Sequence, residues 1–288
     1  MNAHLLQSID QGYAIITASQ RQARALQVAY ANAQLGEGKS VWRTPLIKTW
    51  PVWMLNAWED LPGESSKVLL SPSQLRLIWE SIIEHSSYTR EILQTDTLID
   101  TTIDAYETCM DWGIEIFPEK TFINNDARAF KAWVKSYRSR LAEKHWLDAA
   151  SIPGELMAQD FNPGFKGLVI YGYDQLTHSQ VRFLDYLKSR GCEVIEFNTD
   201  NRNESRTYYS FPQPEEELKS AAIWARQILI NQPDATIGIV VPDLNKRRKA
   251  VTAIFDSVLH PDWPLRQPRT FQRQYSIAPG RPLSEYPM

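Results

Sequence analysis

The stretch from Gly167 to Phe197 constrains the fold of this chain more than any other part of the sequence. It opens with the apolar run Leu168–Tyr171, which is short enough to be a strand buried on both faces. Helix-starting residues follow at Leu176–Ser179, and apolar residues then recur at helical spacing as far as Gly191. Cys192–Phe197 has the pattern of a second strand. This order predicts a right-handed crossover and a locally parallel sheet.

Ligands of parallel sheets bind beyond the carboxyl ends of the strands, which places a candidate site just after Tyr171. A nucleotide hydrolase needs an acid for magnesium at the end of such a strand, with a glutamate beside it. Here the strand ends in Tyr171 and Gly172, and the first carboxylate, Asp174, precedes Gln175. These four residues predict a degenerate Walker B region with no metal and no cofactor. Asp174 by itself fits a turn-forming role better than a magnesium site.

Composition restricts the class of protein but not its chemistry. The chain has 288 residues, 43% hydrophobic and 23% charged, with a formal net charge of -3, so any contact with nucleic acid must come from local basic patches. Cys109 and Cys192 are too few for a disulfide framework or a zinc cage, which favours a reducing cytosol. We find no apolar run long enough to span a membrane and no signal peptide, and we expect a cytoplasmic protein without membrane association.

The first part of the chain has a βαβα pattern. Tyr13–Thr17 predicts a buried strand, and Ser19 is a helix N-cap for a helix that Gly36 closes. Val41–Thr44 predicts a second strand, and Lys48–Trp58 predicts an amphipathic helix.

Strand patterns then give way to helical periodicity. Three helices are predicted, at residues 75–83, 93–112 and 127–141. After the central unit, strands are predicted at residues 207–211, 236–241 and 274–277, and helices at residues 214–230 and 245–259. We therefore expect an α/β fold whose largely parallel sheet is of the P-loop or helicase-like type, with an inserted all-helical subdomain. The expected domains are residues 1–65, the first α/β part; 66–160, the helical subdomain; and 161–288, the second α/β part, cut at its carboxyl end.

A loose Walker A pattern occurs at Ala33–Ser40. A phosphate loop requires a strand before it and a helix after it, so that backbone N–H groups at the start of the helix cradle phosphate. This stretch has a predicted helix before it, a predicted strand after it and Pro45 close behind. We therefore interpret it as a helix end and a turn.

Two groups of basic residues are candidate DNA contacts. Near the first strand, Arg21 and Arg24 are placed to reach a DNA phosphate, although solvated arginines on a helix face fit the charge pattern better. The denser group carries charge of one sign and fits phosphate contact and a solvated surface equally well. It comprises Lys246, Arg247, Arg248, Lys249 and Arg273. Trp42, Trp50, Trp53 and Trp58 can stack unpaired bases, but their spacing is more typical of core packing.

Several of these segments together resemble a family of bacterial DNA repair proteins that look like the B subunit of the AddAB helicase–nuclease. The segments are residues 16–59 (beginning ITASQRQARAL), 169–180 (VIYGYDQLTHSQ), 215–261 (containing ATIGIVVPDLNKRR) and 276–288 (SIAPGRPLSEYPM). The resemblance implies a superfamily 1 helicase-like region with decayed ATPase motifs, followed by a PD-(D/E)xK nuclease absent from this chain. It also implies a role in handling broken or unpaired DNA.

These observations predict a non-hydrolysing helicase-like module of a DNA repair nuclease. Expected partners are DNA, single-stranded or at a duplex end, and the nuclease domain of the full-length chain or a helicase subunit. The sequence contains no catalytic set. The alternative is a protein-interaction scaffold without DNA contact, motivated by ten tryptophans and the acidic overall balance. An active ATPase is the third and weakest hypothesis.

Overall fold

The computed structural model describes residues 3–61, 67–88, 95–116, 124–197, 207–261 and 273–278. The chain divides into two compact units, Met1–Asn201 and Arg202–Met288. None of the helices in these ranges is long and apolar enough to cross a membrane.

A four-stranded parallel sheet organises the first unit. Its strands are β1 (Ala14–Thr17), β2 (Ile47–Thr49), β5 (Gly167–Tyr171) and β6 (Glu193–Phe197), in the order β2-β1-β5-β6. Ile15 pairs with Ile47 on one side and Val169 on the other. The predicted mixed α/β fold with a parallel sheet is confirmed, and so is the unit from Gly167 to Phe197.

Helices cover both faces of this sheet. On one face, α1 (Ala3–Asp10) and α2 (Gln20–Gly36) pack against Ile15 and Val169. On the other face, α3 (Trp50–Glu59), α7 (Ile152–Ala158) and α8 (His178–Ser189) enclose Ile16 and Ile170. The β1–α2–β2 and β5–α8–β6 connections lead in opposite directions along the sheet, with their helices on opposite faces. The boundary between β1 and β5 is therefore a topological switch point.

The helices α4 (Pro72–Glu84), α5 (Thr95–Trp112) and α6 (Asn125–Lys144) have a hydrophobic core of their own. The two-residue strands β3 (Val68–Leu69) and β4 (Trp146–Leu147) pair in parallel at the two ends of this region. The three predicted helices are confirmed over their described residues; residues 93 and 94 lie outside them. Asp148, 1% exposed, accepts hydrogen bonds from the Tyr106 and Tyr137 hydroxyls at 3.2 and 3.0 Å. Burial, followed by the charge of this carboxylate, raises the pKa of both tyrosines.

The second unit contains α9 (Pro214–Asn231) and α10 (Leu244–Leu259), close to the predicted helices. The prediction of strands at residues 207–211, 236–241 and 274–277 was wrong, because the structure has no strand at these residues. Residues 235–241 alternate between half-buried and exposed, as in a strand, and Ile239 and Val241 pack against the helices. A strand also needs a hydrogen-bonded neighbour, and no described segment pairs with this one.

The second strand of the sheet lies a few residues after its predicted position. We expected it at Val41–Thr44, but β2 is Ile47–Thr49. The reason is register: the Ile15 N–H donates to the Leu46 carbonyl at 2.8 Å, so pairing with β1 begins after Pro45, whose nitrogen has no proton to donate.

Candidate functional site

The switch point brings together the carboxyl ends of β1 and β5. The chain leaves β1 through Thr17, Ala18 and Ser19 into α2, and leaves β5 through Gly172 and Tyr173. The two exits are joined by a hydrogen bond from the Ala18 N–H to the Tyr171 carbonyl, 3.1 Å long. In open α/β sheets this crevice is where ligands bind.

The side chain of Tyr173 occupies this crevice. Its hydroxyl donates to the Thr17 carbonyl at 3.1 Å, and its ring packs against the core beneath α3 and α8. Burial raises the pKa of Tyr173 to about 12, against the smaller opposing effect of a hydrogen bond from the backbone of Trp50. The tyrosine thereby ties the end of β1 to the segment after β5 and to the start of α3.

The side chain of Gln22 covers Gly172. Gly172 has φ +74°, and a Cβ added there would lie 2.3 Å from Gln22 Nε2. The same Gln22 side chain accepts a hydrogen bond from the Ser19 N–H at 3.1 Å, and the Gln22 N–H donates to Ser19 Oγ at 3.3 Å, which makes a capping box. The amino end of α2, which would face phosphate in a nucleotide-binding fold, is therefore partly satisfied by its own side chains.

The residues predicted to form a degenerate Walker B region lie at the end of β5 and directly after it. Tyr171 ends β5, while Asp174 and Gln175 are exposed in the connection to α8. Over the described ranges, no three His, Cys, Asp or Glu side chains come together in a group that could hold a metal ion.

The Walker A-like stretch lies at the far end of α2. This helix ends at Gly36, and Lys39 Nζ donates to Gln34 Oε1 and pairs with Glu37 Oε2, both at 2.8 Å. A helix precedes the stretch and irregular chain follows it as far as β2. The structure thus agrees with the interpretation of a helix end and a turn.

Arg21 and Arg24 lie on the exposed face of α2. They line a shallow, open surface together with Ala25 and Val28. Arg21 is in the first turn of the helix, close to the switch point.

The basic cluster at Lys246–Lys249 occupies the first two turns of α10. Lys246 and Lys249 are exposed, and Arg248 is half-buried. The Arg247 side chain is 22% exposed, with Asp243 at 3.7 Å and Glu215 at 3.9 Å. Lys246 and Lys249 therefore add exposed positive charge at the end of α10 where the helix dipole is already positive, whereas Arg247 faces two carboxylates.

Arg273 is held by an acid that the sequence reasoning did not single out. Its Nε and Nη2 donate to the Asp256 carboxylate at 2.9 and 2.8 Å, and the Tyr275 hydroxyl donates to the same group at 2.8 Å. Burial alone would raise the pKa of Asp256, but these hydrogen bonds and the positive charge of Arg273 hold it below its usual value. Much of the Arg273 guanidinium is therefore engaged within the protein rather than presented to DNA.

A cleft that the sequence did not predict lies at the opposite edge of the sheet. Leu46 precedes β2, Phe161 and Phe165 precede β5, and Asn56 lies in the second half of α3, so the cleft is at the amino ends of the strands. Its volume is about 420 Å³. Trp53, for which core packing was favoured over base stacking, lies at the bottom of the cleft and is 3% exposed. Trp50 and Trp58 are likewise buried, and Trp42 is half-buried. Core packing is thus the main role of the three on α3.

In comparisons with known proteins, neither a protein-family model nor a curated protein matches the sequence.

Proposed function

We propose that this chain is a non-hydrolysing, helicase-like module that docks DNA for a repair nuclease. In this proposal the parallel sheet is of the P-loop type, and α4–α6 form a subdomain inserted into it. The nuclease belongs to the full-length chain, or the module serves a helicase subunit. The observation that carries the proposal is the crevice between β1 and β5, where Tyr173 and Gln22 occupy the space that nucleotide phosphates would need.

The closed crevice supports the loss of hydrolysis. A phosphate cradle needs backbone N–H groups at the start of a helix that follows a strand. In this chain Gln22 bonds to Ser19 at that position and packs on Gly172, where the acid of a Walker B strand would lie. Nucleotide hydrolysis above the level of a Lys39→Ala control would overturn this part of the proposal.

The basic start of α10 supports DNA docking. Lys246 and Lys249 are exposed, and they share the positive end of one helix with Arg247 and Arg248. Each lysine that neutralises a phosphate of single-stranded DNA contributes about 0.7 to the slope of log affinity against log salt concentration.

A fluorescence-anisotropy titration with single-stranded and forked DNA at several salt concentrations tests the docking. We expect Lys246→Ala combined with Lys249→Ala to lower the salt slope for single-stranded DNA by about 1.4. The matched control is Lys135→Ala combined with Lys144→Ala, which removes two exposed lysines from α6. Equal losses from both pairs would refute a specific role for α10, and absence of binding at low salt would refute docking.

The scaffold alternative rests on exposed apolar side chains in the second unit. Tyr208, Tyr209 and Val240 are 84%, 79% and 91% exposed, and Trp224 on α9 is half exposed. Large exposed apolar side chains are what a protein-interaction surface presents when they form one patch. This function becomes the leading one if DNA binding is absent at low salt.

A further inference from the structure

The cleft at the amino ends of the strands is a concavity of the first unit that the proposed function does not use. Its volume of about 420 Å³ falls within the range of roughly 300–1,000 Å³ that is common for small-molecule sites. It lies at the opposite edge of the sheet from Tyr173, so it is separate from the closed crevice.

One wall of the cleft is aromatic. Phe161 and Phe165 are half-buried there, and Trp53 lies behind Phe165 with ring centroids 6.1 Å apart. Phe161 in turn stacks on Phe183 of the core at 6.2 Å. These rings are fixed by their own packing, so a flat ligand that stacks on them orders few additional groups.

The remaining wall is polar and carries both signs of charge. Lys48 Nζ donates to Asn56 Oδ1, and within the described ranges no carboxylate pairs with this ammonium. Asp60, one turn after Asn56 on the chain, and Gln159 add acceptors. Asp160 also lines the cleft and pairs with Arg190.

This combination selects one class of ligand. A phosphate group would meet Asp60 and Asp160, and a purely apolar ligand would strip water from Lys48 and Asn56 without replacing it. A flat heteroaromatic ring with hydrogen-bond donors and acceptors on its edge satisfies both walls.

The loop from Gln159 to Phe165 is held in place for such a ligand. Asp160 has φ +53°, a left-handed conformation, and its pairing with Arg190 fixes the turn. The Tyr186 hydroxyl donates to the Phe161 carbonyl at 3.0 Å, and Asn162 Oδ1 accepts from the Gly164 N–H at 3.1 Å. A site whose walls are fixed in advance binds without a large ordering cost.

We propose that this cleft binds a nucleobase, stacked on Phe161 and Phe165 and read on its edge by Lys48, Asn56 and Asp60. The source of the base is an unpaired position of a DNA strand, a choice that rests on the proposed function. A free nucleoside is the other source of the same chemistry.

The test compares binding of a single-stranded thymidine oligomer with that of an oligomer of equal length built from abasic sugars. We expect the wild-type chain to prefer the thymidine oligomer by about fivefold or more, the effect of stacking one base. Asn56→Leu and Lys48→Met should each reduce this preference. Lys166→Met, an exposed lysine before β5 outside the cleft, should retain it.

The outcomes separate this inference from the proposed function. If the chain binds both oligomers equally, or if Asn56→Leu keeps the full preference while folded by circular dichroism, the nucleobase site is refuted and DNA docking stands. If neither oligomer binds, DNA docking is refuted, and ligand-observed NMR with deoxyadenosine decides. A saturation-transfer signal that Asn56→Leu abolishes would support the site with a free nucleoside, and no signal from the wild-type chain would refute it.

Discussion

Replacing Gly172 by aspartate places a carboxylate at the carboxyl end of β5 and tests directly whether the crevice can accept one. We expect Gly172→Asp to destabilise the first unit and to leave the protein without ATP hydrolysis. The reason is that Gly172 has φ +74° and lies under Gln22, so the new side chain meets both a strained backbone and an occupied space.

The magnitude follows from these two contributions. A left-handed conformation costs an L-residue about 1–2 kcal/mol, toward the lower end for aspartate. The Cβ would lie 2.3 Å from Gln22 Nε2, so Gln22 must move and its hydrogen bond to the Ser19 N–H is lost, at about 1 kcal/mol. The expected total is about 2–3 kcal/mol, which lowers the melting temperature of a unit of this size by about 5–10 °C.

Urea unfolding followed by circular dichroism measures this loss, with Gly38→Asp as the control. Gly38 has φ +77° and nothing within 4 Å of an added Cβ, so this variant incurs only the backbone cost of about 1 kcal/mol. Combining Gln22→Ala with Gly172→Asp should destabilise by less than the sum of the two single variants, because the clash is relieved. The reasoning is refuted if Gly172→Asp is no worse than Gly38→Asp, or if it hydrolyses ATP.

Three further predictions concern single side chains. The folded pKa of Tyr173 is about 12 and its ordinary value is 10.0, so its contribution to stability is complete below the lower value and is lost as the pH rises toward the higher one. Between about pH 9 and about pH 11, Tyr173→Phe should lose less unfolding free energy than the wild-type protein. An identical loss in the two proteins would contradict this. The pKa of Asp256 is lowered in the fold, so its contribution to stability is present at neutral pH and is lost as the pH falls through the folded pKa. In urea titrations, Arg273→Met should lower the unfolding free energy by about 3 kcal/mol at neutral pH and flatten this acid dependence. Unchanged stability would count against the Arg273–Asp256 pair. His145 is the C-cap of α6 with φ 53°, so His145→Gly should raise the unfolding free energy by about 1 kcal/mol. Glu143→Gly, inside the helix, should lower it by about 1 kcal/mol. Equal melting temperatures of the two variants would argue against strain at His145.

The parts of the fold that depend on local patterns were predictable. Ser19 and Thr177 were placed at or next to helix starts, and both are N-caps with complete capping boxes, because a capping box needs only residues three positions apart. The buried strand β5 was identified from its apolar run for the same reason.

The contacts that define the candidate sites were not predictable, because they join residues far apart in the sequence. Tyr173 bonds to Thr17 across 156 positions, and Gln22 covers Gly172 across a similar separation. Arg273 was a candidate DNA contact on its charge alone, and only the structure shows that Asp256 engages it. Likewise the cleft beside Lys48 combines β2, α3 and the loop before β5, which no single stretch of sequence displays.

Residues 236–241, which pair with no strand among the residues that the structure describes, affect how this protein behaves in a concentrated solution. Its sequence, TIGIVV, is uncharged, rich in β-branched residues and free of proline, and Val240 is 91% exposed. Such a segment can pair with an identical segment of another molecule, so we expect cross-β aggregation of this protein to begin at the residues that pack on α9 and α10. A charged residue at Val240, whose side chain points to solvent, is the change most suited to keeping the protein dispersed without disturbing the packing of Ile239 and Val241.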